Sequence, residues 1–290
     1  MRATLILLLT LTAALPGFGQ AGLVGRVLEK VACTKNPEQT YALYVPSNYT
    51  ADRAWPVIFC FDPGARGLEP VKRLQAAAEK FGYVVAGSLN SRNGPWDANA
   101  AAIQAMVADV NGHLRIDPKR IYAAGLSGGA RVATQIALTG LAKGVIACSA
   151  GFPMGVDDIP QKIAFPVFGT AGTEDFNYAE LRRLGHALDE RKAVHRIVIF
   201  EGGHVWASAE LLASAVEWLE LQAMRAGTRP RDDEVIRAAW QARVAALPTA
   251  AGERWLATKR LAAEFKGLME VAELEAQAKA AGATPEVKAW

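Results

Sequence analysis

Apolar residues along this chain fall into two alternating rhythms, and the switch between them predicts its elements. Val57-Ile58-Phe59-Cys60-Phe61 is a continuous apolar run of the kind a strand buried on both faces shows. Residues 83–86, 144–148, 165–169 and 196–200 repeat that pattern. Between these runs the apolar positions recur at helical spacing. Val71, Leu74 and Ala78 lie between Pro70 and Gly82, and Ile103, Met106, Val107 and Val110 fall within 97–114. Leu181, Leu184 and Leu188 follow Asn177 and Glu180, which have the spacing of a capping box, and Leu212, Ala215, Val216 and Leu219 follow Ser208, an N-cap residue. Strand and helix alternate in this way from Val57 to Leu221. That rhythm predicts an α/β domain with a mostly parallel sheet covered by helices on both faces. Ahead of it, residues 23–31 and 40–45 read as two strands joined by the polar turn Thr34-Lys35-Asn36-Pro37-Glu38, an antiparallel start to the sheet.

Past Arg225 the pattern changes. Thr228-Arg229-Pro230-Arg231-Asp232 is a polar linker into Ala/Glu/Lys-rich helix. Ile236, Trp240, Val244 and Leu247 form one apolar stripe, stopped by Pro248. Trp255, Ala262, Phe265 and Leu268 form a second, which continues toward Ala276 and ends at Gly282. The tail resembles one to one and a half degenerate repeats of the tetratricopeptide type, fewer than such arrays need. It is therefore expected as a helical extension packed on the main domain, the alternative being that residues 230–290 recruit a protein partner. At the other end, Arg2, an apolar run over 3–15 and small residues around Gly19-Gln20-Ala21 follow the plan of a secretory signal peptide. The expected organisation is a signal over 1–21, an α/β domain over 22–225 and a helical extension over 226–290. The implied location is secreted or periplasmic, with no stable membrane insertion after signal cleavage.

Composition narrows the classes further. Hydrophobic residues make up 51% of the 290, ample for a buried core. The formal net charge is +3 and no basic run is dense, so no nucleic-acid partner is expected. There are three cysteines, Cys33, Cys60 and Cys148, an odd number, and the last two lie in strand-like runs. They read as small buried hydrophobes and have no metal-ligand spacing.

The chemistry concentrates at residues 120–133. A short apolar strand leads into Gly125-Leu126-Ser127-Gly128-Gly129 and then into an Ala-rich helix, the context of a nucleophile elbow. There the Ser127 hydroxyl stands at the amino end of a helix, where partial positive charge favours a developing anion. A serine needs a base, and the base needs an orienting acid. Of the four histidines, His113 and His186 fall inside helices and His195 at a strand start. His204 follows the run 196–200 in the loop Glu201-Gly202-Gly203-His204-Val205-Trp206, at the carboxyl edge of the sheet where Ser127 also falls. The acid comes from the loop after 165–169, where Glu174 and Asp175 are adjacent. Asp175 is preferred for its shorter, stiffer side chain, with Glu174 the alternative. One oxyanion donor is the amide of Gly128. The second falls in the loop after Phe61, where Pro63 has no N–H, leaving Gly64 or Ala65. Trp96 and Trp206 are either walls of the substrate pocket or packing residues.

Three segments carry a resemblance. Tyr41-Ala42-Leu43-Tyr44-Val45-Pro46, Ile116-Asp117-Pro118-Lys119-Arg120-Ile121-Tyr122 with the Gly125 to Gly129 elbow, and Gly202-Gly203-His204-Val205-Trp206 are similar to the α/β-hydrolase superfamily. Within it they resemble secreted esterases of the polyhydroxybutyrate-depolymerase and feruloyl-esterase type and the dienelactone-hydrolase branch. The resemblance spans roughly residues 25 to 222. It implies an α/β-hydrolase fold, and a serine hydrolase that cleaves small-molecule or polymeric carboxylic esters through an acyl-enzyme with Ser127, His204 and Asp175. It implies no metal and no organic cofactor. A peptidase on the same fold, or a non-catalytic binding protein, is the alternative. Three positions depart from the pattern. Asp62-Pro63 stands where those families carry His-Gly, a longer loop from Gly169 to Asp175 replaces the usual Gly-x-x-Asp, and Leu126 precedes the serine.

Overall fold

The computed structural model describes residues 22–153, 155 and 159–290; the signal peptide expected over 1–21 lies outside them. The apolar runs become one eight-stranded sheet. Its strands are β1 (Val27–Cys33), β2 (Asn36–Tyr44), β3 (Trp55–Phe61), β4 (Val84–Ser88), β5 (Ile116–Leu126), β6 (Val145–Cys148), β7 (Val167–Gly172) and β8 (His195–Phe200). In space they follow the order β1-β2-β4-β3-β5-β6-β7-β8. The pairs β1–β2 and β2–β4 are antiparallel and all the others parallel. The chain leaves β3 toward one side of the sheet and β5 toward the other. Their carboxyl ends therefore border a crevice of the sort in which open α/β sheets place ligands.

Helices α1 (Leu68–Phe81), α2 (Trp96–His113), α3 (Gly128–Leu138) and α4 (Tyr178–Glu190) connect strands, α5 (Ala209–Arg225) follows the last one, and together they cover the sheet. The strand period of two sorts the side chains of β3. Val57, Phe59 and Phe61 share a core with α2, α3 and α4, whereas Ile58 and Cys60 share one with α1 and α5. All three cysteines are buried and free.

Three local expectations are corrected. The turn expected over 34–38 is tighter: β2 resumes at Asn36, and Pro37 is accommodated where the β1–β2 register slips between Ala32 and Cys33. Asp117 and Pro118 lie within β5 rather than ahead of it. The β3–β5 register jumps from Trp55↔Ile116 to Val57↔Ile121, so the extra residues bulge out where Pro118 owes no ladder hydrogen bond. Asn177 sits at the N-cap of α4, but its side chain makes no cap bond. Its amide instead donates to the Ser149 carbonyl, and Glu180 pairs with Arg131 at 2.7 Å while accepting the Gly151 N–H.

The tail forms α6 (Asp233–Ala245), α7 (Ala251–Phe265), α8 (Ala272–Gly282) and α9 (Pro285–Ala289). The second stripe is divided between α7 and α8 at Gly267, whose φ of 84° turns the chain. Ile236, Ala239, Leu261, Ala262, Phe265, Leu268 and Val271 close a small core together with Leu221 and Met224 of α5. Arg243 of α6 reaches Glu217 of α5 and Glu264 of α7, and Glu264 also pairs with Arg196 of β8. The linker is fixed as well. Arg229 lies 2.7 Å from the fully buried Glu220, which accepts the Tyr83 hydroxyl, and the Arg231 guanidinium donates to the Leu268 carbonyl. Among the described residues no helix is long and apolar enough to cross a membrane.

Candidate active site

Ser127 follows β5 directly and precedes the first turn of α3. Its φ of 54° and ψ of −121° place an L-residue in a sparsely populated region, a strain on the order of 1–3 kcal/mol that the surrounding fold must hold. The fold holds it by close approach. A Cβ at Gly125 would lie 2.0 Å from the Gly129 carbonyl oxygen, and one at Gly129 would lie 2.1 Å from that of Phe61. The strand, the elbow and the start of α3 can pack this tightly only with glycine at both positions. The Ser127 amide donates to the Cys148 carbonyl at 2.8 Å, which ties the elbow to β6.

The loops after β7 and β8 meet beyond the strand ends. Thr173 donates to the Phe200 carbonyl and Glu174 to the Gly202 carbonyl, both through backbone N–H groups at 2.8 Å. This stitching brings His204 Nδ1 to 2.8 Å from Asp175 Oδ1. An ionised carboxylate only accepts, so Nδ1 carries the proton and Nε2 is left as the basic nitrogen. The Asp175 side chain is 0% exposed and that of His204 is 21% exposed. Asp175 Oδ1 also accepts the backbone N–H of Asn177 at 2.7 Å, which orients the carboxylate. Glu174 points into solvent, and no hydrogen bond joins it to His204. Phe176 stacks on the imidazole with centroids 3.9 Å apart, although 76% of it is exposed. Its one signal in the sequence is an aromatic directly after the acid, at a polar loop position where burial alone would not place one.

The loop after β3 departs most from expectation. The carboxylate of Asp62 is fully buried and accepts from the Gly64 amide at 2.8 Å, from Arg66 Nε at 2.8 Å and Nη2 at 3.3 Å, and from the Trp206 indole at 2.8 Å. Burial pushes its pKa up, but the bonds from Arg66, Trp206 and Gly64 outweigh it and hold the carboxyl below its usual range. The Ala65 amide donates to the Asp62 carbonyl at 3.1 Å. Both amides expected as second oxyanion donors are therefore engaged inside the loop. Trp206 is likewise no pocket wall: it is 4% exposed and couples the histidine-bearing loop to Asp62. Trp96, 47% exposed, is the first residue of α2, and Phe176 and Val205 on the loops after β7 and β8 are exposed as well. The spacing of Asp62 and Arg66, an i,i+4 pair of opposite charges, was the readable sign of this clamp.

The loop after β4 pairs with the same segment. Gly64 and Arg92 form an antiparallel bridge, and the Asn93 amide donates to the Pro63 carbonyl at 2.9 Å. Buried Asn99 holds this loop from below. Its Oδ1 accepts from Ser91 Oγ and the Arg92 amide, and its Nδ2 donates to the Arg92 and Pro95 carbonyls.

The sequence matches no protein-family model and no curated protein. Solved structures do share the architecture. An S-formylglutathione hydrolase from Staphylococcus aureus is similar at a TM-score of 0.54 and 13% identity, over 67% of this chain and 97% of its own. An esterase from Pyrobaculum calidifontis gives 0.53 and 14%, over 68% and 86%. Esterase B from Lactobacillus rhamnosis gives 0.52 and 14%, over 70% and 90%. At these identities the likeness establishes the α/β-hydrolase fold.

Proposed function

Starting from an α/β-hydrolase fold, we propose that this chain is a serine hydrolase that cleaves carboxylic esters through an acyl-enzyme. Ser127 Oγ attacks the ester carbonyl carbon, the π pair moves to oxygen, and His204 Nε2 takes the serine proton. Collapse of the tetrahedral intermediate re-forms the carbonyl and expels the alkoxide, which leaves with the proton from His204. Water then repeats the sequence on the acyl-serine and releases the acid. Asp175 holds the imidazole in the required tautomer. With residues 1–21 read as a signal, the substrate is met outside the cytoplasm.

The observation that carries this reading is the strained Ser127 at the strand-to-helix turn, on the same sheet edge as the His204–Asp175 pair at 2.8 Å. The esterase names of structural neighbours support the choice of ester. Exposed Trp96 at the start of α2, with exposed Phe176 and Val205 on the loops after β7 and β8, supports an acyl or aryl group of apolar character. One observation favours a non-catalytic protein instead: the Gly64 and Ala65 amides are both occupied.

A fluorophosphonate probe separates the two readings. The folded wild type should label at Ser127, and Ser127→Ala should not. On nitrophenyl esters, His204→Ala should lower kcat by about 10⁶-fold, as loss of a triad base does elsewhere. Folded protein that fails to label would remove the enzyme reading, and near-normal turnover by His204→Ala would remove His204 as the base. A series of nitrophenyl esters of increasing acyl length then reads the substrate preference.

A further inference from the structure

An oxyanion needs two donors, and residues 63–65 of the loop after β3, where the second was expected, offer no free one. Pro63 has no N–H, the Gly64 amide is held by the Asp62 carboxylate and the Ala65 amide by the Asp62 carbonyl. A different group stands beside the elbow. A Cβ built on Gly128 would fall 1.8 Å from Asn93 Oδ1 and 3.6 Å from its Nδ2, so the Asn93 carboxamide lies against the first residue of α3, whose own amide is the first donor. Among the described residues the Asn93 side chain makes no hydrogen bond, whereas its backbone is fixed by the Pro63 carbonyl, the Gly64–Arg92 bridge and buried Asn99 beneath. An unengaged carboxamide on a braced loop is free to turn its N–H toward a new acceptor.

We infer that the side-chain amide of Asn93 is the second oxyanion donor, acting with the Gly128 N–H in place of the loop amides that Asp62 occupies. The inference rests on the serine-hydrolase reading and adds a catalytic residue to it. A half-turn about χ2 exchanges Oδ1 and Nδ2, so the group turns an N–H toward the Gly128 side when negative charge develops there. No bond beyond those of acyl transfer is made or broken. The Asn93 N–H shortens toward the oxyanion as the carbonyl π pair moves onto oxygen, and relaxes when the carbonyl re-forms. The clamp at Asp62 is compatible with this role because Arg66 and the Trp206 indole offset the carboxylate charge and hold it inside the loop.

Asn93 is exposed, so its replacement should leave the fold and melting temperature intact. On a nitrophenyl butyrate, Asn93→Ala should lose about 100- to 1,000-fold in kcat, the scale of one oxyanion donor. KM should stay within about threefold, as for a contact made only in the transition state. Inhibition by a trifluoromethyl ketone, which forms the same oxyanion on Ser127, should weaken in step with kcat/KM, a readout that loop packing alone would not move. Gly128→Ala supplies an independent route. Its methyl would take the place of the carboxamide while the Gly128 N–H remains, so its loss should match that of Asn93→Ala, and the double variant should be no worse than either. Wild-type-like kcat in folded Asn93→Ala, or losses that add in the double variant, would overturn the donor and leave the nucleophile standing. A wild type that neither turns over ester nor labels with fluorophosphonate would overturn both.

Discussion

At the scale of single residues, two adjacent carboxylates show how geometry resolves what spacing leaves open. Asp175 and Glu174 are equivalent candidates by position in the chain. The stitching of the β7 and β8 loops turns Asp175 inward against His204 and leaves Glu174 in water. Asp175→Asn should therefore lower kcat by about 10⁴-fold, because an amide in that place supports the wrong imidazole tautomer. Glu174→Gln should stay near wild type. Steady-state kinetics on one ester decides it, and a larger loss in the glutamate variant would exchange the two roles. Phe176 adds a second restraint, since stacking on the ring face fixes the plane that the Asp175 bond alone leaves free to rock.

At the scale of elements, the clamp around Asp62 joins the ends of β3 and β8 through Trp206. Its folded pKa is depressed, so its contribution is present in full above the unfolded carboxylate value of about 3.9 and is lost as pH falls through the lower folded value. Asp62→Asn keeps the shape but weakens the charge-assisted bonds, at a cost of about 1–3 kcal/mol at pH 7. Thermal melts of both proteins at pH 7 and near pH 3 should show the gap narrowing in acid, and a gap independent of pH would deny Asp62 this role. The elements themselves were legible because burial on both faces writes a run such as Val57 to Phe61 that few other contexts produce. The elbow, His204 and Asp175 were legible because each follows a strand at one sheet edge. Trp206 and the Gly64 amide were not, because their partner is a buried carboxylate 144 residues away in one case and two in the other, and the Ala65 amide was not because it turns back to the Asp62 carbonyl. Hydropathy carries no record of a hydrogen bond. The Asn177–Glu180 spacing misled for the same reason: Arg131, on another helix, offered Glu180 a charged partner stronger than a backbone amide.

At the scale of the whole molecule, the tail and the α/β domain share structure at α5, whose Leu221 and Met224 belong to the tail's core. Unfolding should accordingly be one event. Phe265→Ala, in that core, should cost about 3–5 kcal/mol and move a single calorimetric transition downward. A separate low-temperature transition for residues 226–290 would show instead that the tail folds on its own. The tie is electrostatic as well as apolar. Glu220 lies buried at the base of the sheet between Tyr83 and Arg120, and its closest cation is Arg229, beyond the last strand and its helix. Every strand of the sheet is thus synthesised before the charge that completes its interior. A product terminated ahead of Arg229 would keep all eight strands yet carry a carboxylate whose remaining cation stands 3.8 Å away, and a protease would meet it as a loosened substrate rather than as a shorter working copy.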